Sequence, residues 1–170
     1  MTNPELFAIL RAQVMEIKEI PAPEAHAGAP AHEGKPYRDP YLFISCPPGK
    51  WLDLARVLKN DARLNFDFLL MVTAVDYLKP EPKIEVVYHL YSMTEKHKIF
   101  VKVPVAREGG SVPSVVSLWK TADWQEREVY DMYGVSFPGH PNHKRILMWE
   151  GFPGWPLKKD YVHVPDRYDD

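Results

Sequence analysis

The sequence predicts an α+β fold: a two-layer domain with a mixed β-sheet packed against helices, followed by a long extended Pro/Gly-rich C-terminal segment. Three observations carry this. Apolar residues recur at three- and four-residue steps in two early stretches. Between residues 66 and 106 the pattern changes to β-rich, alternating runs separated by turn signals. After Gly134 proline and glycine become too dense for a long helix or a central strand.

The elements follow in order. Residues 4–19 read as a helix, with Leu6, Phe7, Leu10, Val14 and Ile17 on one face and Asn3–Pro4 as its start. Residues 20–40 are Pro-, Ala- and Gly-rich and aperiodic, a loop or linker whose His26 and His32 read as solvated. "YLFIS" (41–45) is a short strand. The following "PPGKWLDLARVLKND" is an amphipathic helix with proline in its first turn and Trp51, Leu54, Ala55 and Leu58 on one face. A strand is predicted near 69–77. "KIEVVYHLYS" and "HKIFVKVPVA" then form a hairpin across "MTEK". Residues 113–133 read as helical in two pieces, with Thr121 capping the second and Gly134 closing it. The expected division is 1–40 as helix and linker, 41–134 as the core domain and 135–170 as a docking segment.

The 170 residues are 45% hydrophobic and 26% charged, enough for a real core, and the net charge of -2 gives nucleic-acid binding no electrostatic support. A lone cysteine, Cys46, excludes an internal disulfide and a cysteine-built cluster site. It reads as a small buried residue at a strand end rather than a nucleophile, and a reducing compartment is expected. No stretch approaches the ~20 apolar residues of a membrane span, and the N-terminus does not resemble a signal peptide.

Charge concentrates in "WQEREVYDMYGVSFPGHPNHKRIL" (124–147). Glu126 and Glu128 stand two apart on a helix and diverge by about 200°, so they cannot converge on one bond. Arg127 and Asp131 are spaced for an ordinary helix-surface ion pair. Glu126 and Tyr130 share another face, and the segment around Lys144 and Arg145 can lie against one of these faces. His140 and His143, with His163, are the strongest zinc candidates, but Lys144 and Pro141 argue against them, and no HExxH helix is present. Nucleophile-elbow, phosphate-loop and dinucleotide patterns are also missing. A stand-alone hydrolase using Glu126, Glu128, His140 and His143 is therefore disfavoured. In the tail, Phe137, Ile146, Leu147, Trp149, Phe152, Trp155 and Leu157 are large and apolar. Such a segment can dock on another protein or fold back on its own domain, and composition leaves both open.

The residues Glu126, Arg127, Glu128, Asp131, Met132, Tyr133, His140, Lys144, Ile146 and Leu147 resemble the signature of the 30 kDa subunit of respiratory complex I, the C-subunit family of NADH-quinone oxidoreductase. "GWPLKKDY" (154–161) resembles a second family stretch, with Lys158 where arginine is more usual. The resemblance implies an α+β domain and a C-terminal extension that docks on the 49 kDa subunit through Trp149, Phe152, Trp155, Leu157, Lys158, Lys159, Asp160 and Tyr161. It implies a non-catalytic assembly role. The Pro/Gly density and the seven large apolar residues lead to the expectation that residues 135–165 are extended and make few contacts with the domain. FMN and iron–sulfur clusters are expected on partner subunits and no cofactor on this chain. The expected location is peripheral, at the cytoplasmic face of the bacterial inner membrane, with an organelle-encoded equivalent as the alternative. The equivalent subunit of a membrane-bound hydrogenase or of a quinone reductase with another donor is the alternative.

Overall fold

The computed structural model describes residues 1–21, 41–163 and 165. Helix α1 (Asn3–Gln13) leads to a short strand β1 (Lys18–Glu19). Then come β2 (Leu42–Ser45), α2 (Pro48–Asn60), β3 (Phe68–Tyr77), β4 (Lys83–Tyr91), β5 (Lys98–Val105) and α3 (Ala122–Tyr133). The sheet order is β1-β2-β5-β4-β3. β2 and β5 are parallel and the other neighbours antiparallel, so the sheet is mixed as expected.

Alternation, broken in β4 by buried Val87, explains where the core lies. In β4, Ile84, Val86, Tyr88 and Leu90 are buried, and in β5 so are Ile99, Val101, Val103 and Val105. Register pairs Tyr88 with Val101 and Leu90 with Ile99, which aligns the two apolar rows. The buried face of α2 (Trp51, Leu54, Ala55 and Leu58) joins the same core, as do Leu6 and Leu10 of α1. The Trp51 ring sits 4.1 Å from that of Tyr88. Each such aliphatic side chain contributes about 1.5–3 kcal/mol on burial.

Helix α3 lies beside the edge strand β3. The Val72 N–H donates to Gln125 Oε1, and Thr121 Oγ1 donates to the Leu69 carbonyl at 3.2 Å. These bonds occupy backbone groups that an edge strand would otherwise offer to another chain.

The helix expected over 4–19 ends at Gln13. Val14 and Ile17 keep the apolar spacing and are buried, but they do so in a turn. Lys18 and Glu19 then pair with Ser45 and Ile44, so sheet pairing wins over continued helix. With Leu6 and Leu10 in the core and β1 in the sheet, a boundary at residue 40 separates no packing unit among the described residues. The expectations for residues 22–40, including His26 and His32, lie outside the described residues. Residues 113–121 form turns rather than a helix, and the Thr121 hydroxyl is spent on β3 instead of capping α3.

The tail corrects the largest expectation. After Tyr133 no described residue enters a helix, and Ser136 makes only an isolated bridge to Ser111. Yet the segment does not stand apart from the domain. Val135 and Phe137 are in the core. Val112 N–H donates to Ser136 O, Ser114 N–H to Pro138 O, and Leu157 N–H to Met132 O at the end of α3. Proline and glycine abolish regular structure, but they leave the remaining N–H groups and side chains free to bond elsewhere.

Gly134 is the pivot between helix and tail. Its φ is +77°, and its N–H donates to Tyr130 O. A Cβ there would meet Trp155 Cε2 at 2.6 Å. Gly134→Ala should therefore cost about 2–4 kcal/mol, combining left-handed strain with displacement of the indole. Urea unfolding of the full chain measures this, and a change below about 0.5 kcal/mol would contradict the packing described.

Candidate functional site

Helix α3 presents its signature charges to two sides. Glu126 points inward and is fully buried. Ser114 Oγ lies 2.6 Å from its Oε2, and Val115 N–H donates to Oε1 at 2.8 Å. Burial pushes this carboxyl up, the bonds from Ser114 and Val115 pull it partly back, and the result is a pKa of about 7. The carboxyl ties the turn at 114–116 to the helix.

The opposite arrangement holds Asp131. It too is fully buried, and it does not pair with Arg127 as the helical spacing suggested. Its Oδ2 accepts the N–H groups of Ile146, Leu147 and Met148 at 2.9, 2.7 and 2.9 Å. Its Oδ1 accepts Arg145 Nη1 at 2.9 Å. Burial pushes its pKa up, but the three N–H groups and Arg145 outweigh it and hold the carboxyl below its usual range. Arg127 reaches the same turn from the helix surface, donating to the carbonyls of Lys144 and Arg145, each at 3.0 Å. Arg145 is held from three sides: Asp131, the Gly154 carbonyl at 2.9 Å and the face of Trp155 at 4.3 Å. The reading in which one face of α3 serves the domain and another holds the basic segment matches this geometry.

The other signature residues divide between packing and display. Met132 is buried, and Tyr133 and Ile146 are half-buried. His140 has a buried side chain; its Nδ1 accepts Asn142 N–H, so Nε2–H donates to Asp123 O at 2.9 Å. His143 Nε2 accepts Phe137 N–H at 3.0 Å, and its ring rests 4.1 Å from Tyr130. Glu128, Lys144 and Leu147 are exposed.

Of the residues assigned to external docking, several are spent inside. Phe152 is buried, and Trp155 covers Gly134. Lys158 Nζ reaches Arg107 O and Glu108 at 2.8 and 2.9 Å. Lys159 N–H donates to Asp76, and Asp160 pairs with Arg107. Tyr161 is half-buried, stacked 6.1 Å from Phe152. Trp149 and Leu157 remain exposed. Asp76, Arg107 and Ser114 were not singled out from the sequence. Asp76 interrupts an apolar strand, and that is the one signal that marked it. Arg107 bridges Asp76 and Asp160, a contact between residues far apart in sequence that no local pattern encodes. The Arg107 guanidinium holds the Asp76 carboxyl below its usual range.

The four hydrolase candidates do not converge. The groove that His143 lines is lined by neither Glu126, Glu128 nor His140. Among the described residues, no three His, Cys, Asp or Glu side chains gather as a metal site. Cys46 is buried and burial pushes its thiol up to about 12, which fits a packing role.

A family described as "Respiratory-chain NADH dehydrogenase, 30 Kd subunit" matches residues 44–167. The chain belongs to this family. Among relatives, the NADH-quinone oxidoreductase C subunit of Roseiflexus sp. (strain RS-1) is 42% identical over 91% of this chain and 85% of its own length. The second form of the NADH-quinone oxidoreductase C subunit of Rhizobium meliloti (strain 1021) is 45% identical over 71% of this chain, which spans just under two thirds of that relative, 65%. Among solved structures, a trypsin-resistant fragment of Nqo5 matches with a TM-score of 0.61 and 28% identity, over 84% of this chain and 99% of the fragment. A chain of the membrane-bound sulfane sulfur reductase, an archaeal respiratory membrane complex, matches with a TM-score of 0.72 and 25% identity, over 98% of this chain and 95% of its own. The α+β core is therefore shared within the family. No helix among the described residues is long and apolar enough to cross a membrane.

Two outcomes test the site. Glu126 is raised from about 4.5 to about 7 on folding. Its stabilising contribution is then complete below pH ~4.5 and is lost as pH rises to ~7, by at most on the order of 3 kcal/mol. Glu126→Gln should flatten that decline in a series of unfolding curves between pH 5 and 8; an unchanged slope would refute it. Asp131→Ala leaves three N–H groups and Arg145 without their carboxylate. A loss of about 3–5 kcal/mol is expected in the same assay, and a loss under about 1 kcal/mol would sink the anchoring role.

Proposed function

We propose that this chain is a non-catalytic assembly subunit of a proton-translocating NADH:quinone oxidoreductase. It would sit in the peripheral arm at the cytoplasmic face of the bacterial inner membrane. The 49 kDa subunit is its main partner, with cluster-bearing subunits nearby. FMN and the iron–sulfur clusters reside on those partners and no cofactor resides on this chain. The observation that carries this reading is the fate of the signature charges. Glu126 and Asp131 are fully buried and bonded within the chain, where they fix the course of the backbone rather than face a substrate. The names of the relatives supply the complex.

A second reading has its own support. The likeness to a chain of the archaeal sulfane sulfur reductase extends over nearly the whole length. The same module thus suits a membrane complex with a different redox partner, and no feature among the described residues selects the donor.

Affinity purification of the tagged full chain from its native host tests both. Co-purification of flavin- and cluster-bearing subunits, with NADH:quinone activity in the eluate, supports the first reading. The same assembly without NADH oxidation supports the second. Recovery of the chain alone would overturn both.

A further inference from the structure

The internal bonds of the signature leave one part of it unspent. A groove of about 380 Å³ opens between the C-terminal half of α3 and the turn after it, lined by Tyr130, His143, Lys144, Arg145, Met148 and Glu150 among others. Its polar lining is rich in donors. His143 Nε2 accepts Phe137 N–H, so the ring proton is on Nδ1, which no bond among the described residues engages. Lys144 carries an ammonium with no carboxylate within 4.0 Å among the described residues, whereas the charge of Arg145 is matched by Asp131. Glu150 is the one carboxylate on the wall, and it makes no ion pair among the described residues.

The turn that carries these donors is rigid. Asp131 holds the N–H groups of residues 146–148, and Arg127 holds the carbonyls of 144 and 145. That rigid backbone nevertheless displays Leu147, in the same turn, at 59% exposure. A preorganised turn with a cation and an exposed apolar side chain loses little entropy on docking. The open cleft suits a side chain on a protein surface better than an enclosed small molecule.

We propose that this groove receives a carboxylate side chain of a partner subunit, held by Lys144 with the Nδ1–H of His143 beside it, while an apolar neighbour covers Leu147. The inference rests on the reading of the chain as one subunit of a complex. A donor-only pair selects an acceptor that cannot donate, which a carboxylate is. Lys144 contributes to the fold through its backbone, so replacing its side chain leaves the turn intact.

The test uses the tagged full chain in its native complex. Zero-length carbodiimide cross-linking joins an amine only to a carboxylate already in contact. Lys144 should cross-link to an aspartate or glutamate of another subunit, mapped by mass spectrometry. Lys144→Arg should keep assembly and lose the cross-link, and Lys144→Gln should lower retention of the complex in raised salt by roughly tenfold, the worth of one charge-assisted hydrogen bond. A cross-link confined to Glu150, a cross-link to a second copy of this chain, or an uncross-linked Lys144 that stays open to amine reagents in the assembled complex would each overturn the proposal. If wild-type chain brings down no other subunit, the assembly reading itself fails. If it brings them down while Lys144→Gln behaves as wild type, only the groove is wrong.

Discussion

The organisation of the C-terminal third depends on one buried carboxylate. Asp131 is an acidic residue in the last turns of a helix, where the macrodipole disfavours negative charge. It is also withdrawn from water, which alone would cost several kcal/mol. What offsets both is a set of donors arriving from one short stretch: three consecutive N–H groups and the guanidinium next to them. Three N–H groups can converge on one oxygen only if the backbone curls around it. The carboxylate thus dictates the conformation of residues 145–148, and through Arg145 it sets the place of Gly154 and Trp155.

A second buried carboxylate repeats the device further along. Asp76, at the far end of β3, receives Arg107 and the Lys159 N–H. Arg107 then holds Asp160, and Lys158 returns to the Arg107 carbonyl. Between these two anchors the tail is pinned where Trp155 crosses Gly134. A segment that cannot form regular structure is thereby given a fixed path by a few point attachments. Each is expensive to half-satisfy, and that selects one arrangement over the many that proline and glycine alone would permit.

The regular part of the fold was legible because period and burial coincide there. The alternation in β4 and β5 and the apolar face of α2 are local patterns, and the structure places them where period alone would. The errors occur where a local preference met a distant partner. Val14 and Ile17 keep helical spacing, yet Lys18 and Glu19 are drawn to β2. Thr121 looks like a cap, but Leu69 takes its hydroxyl. Arg127 and Asp131 are spaced as a surface pair, but each is taken by the tail instead. The tail itself was misjudged because composition reports only what a segment cannot form. That its apolar and charged residues would be met by Asp131, Asp76 and Gly134 is information held by other elements.

A dense run of acids, bases and histidines invites a catalytic reading, and the geometry shows why the inference fails here. A catalytic pair needs two groups in different environments facing one reacting bond. Glu126 and Asp131 do have opposite environments, one raised by burial and one lowered by donors. But each is directed at a different piece of its own backbone, Val115 for one and residues 146–148 for the other. The same chemistry that would poise an acid and a base is used to fasten the two chain segments that flank α3. Perturbed carboxylates mark where the chain depends on them, and whether they catalyse is decided by what occupies their oxygens. In this chain the oxygens are taken by its own N–H groups and the Ser114 hydroxyl. What remains for a partner is the surface those bonds hold rigid.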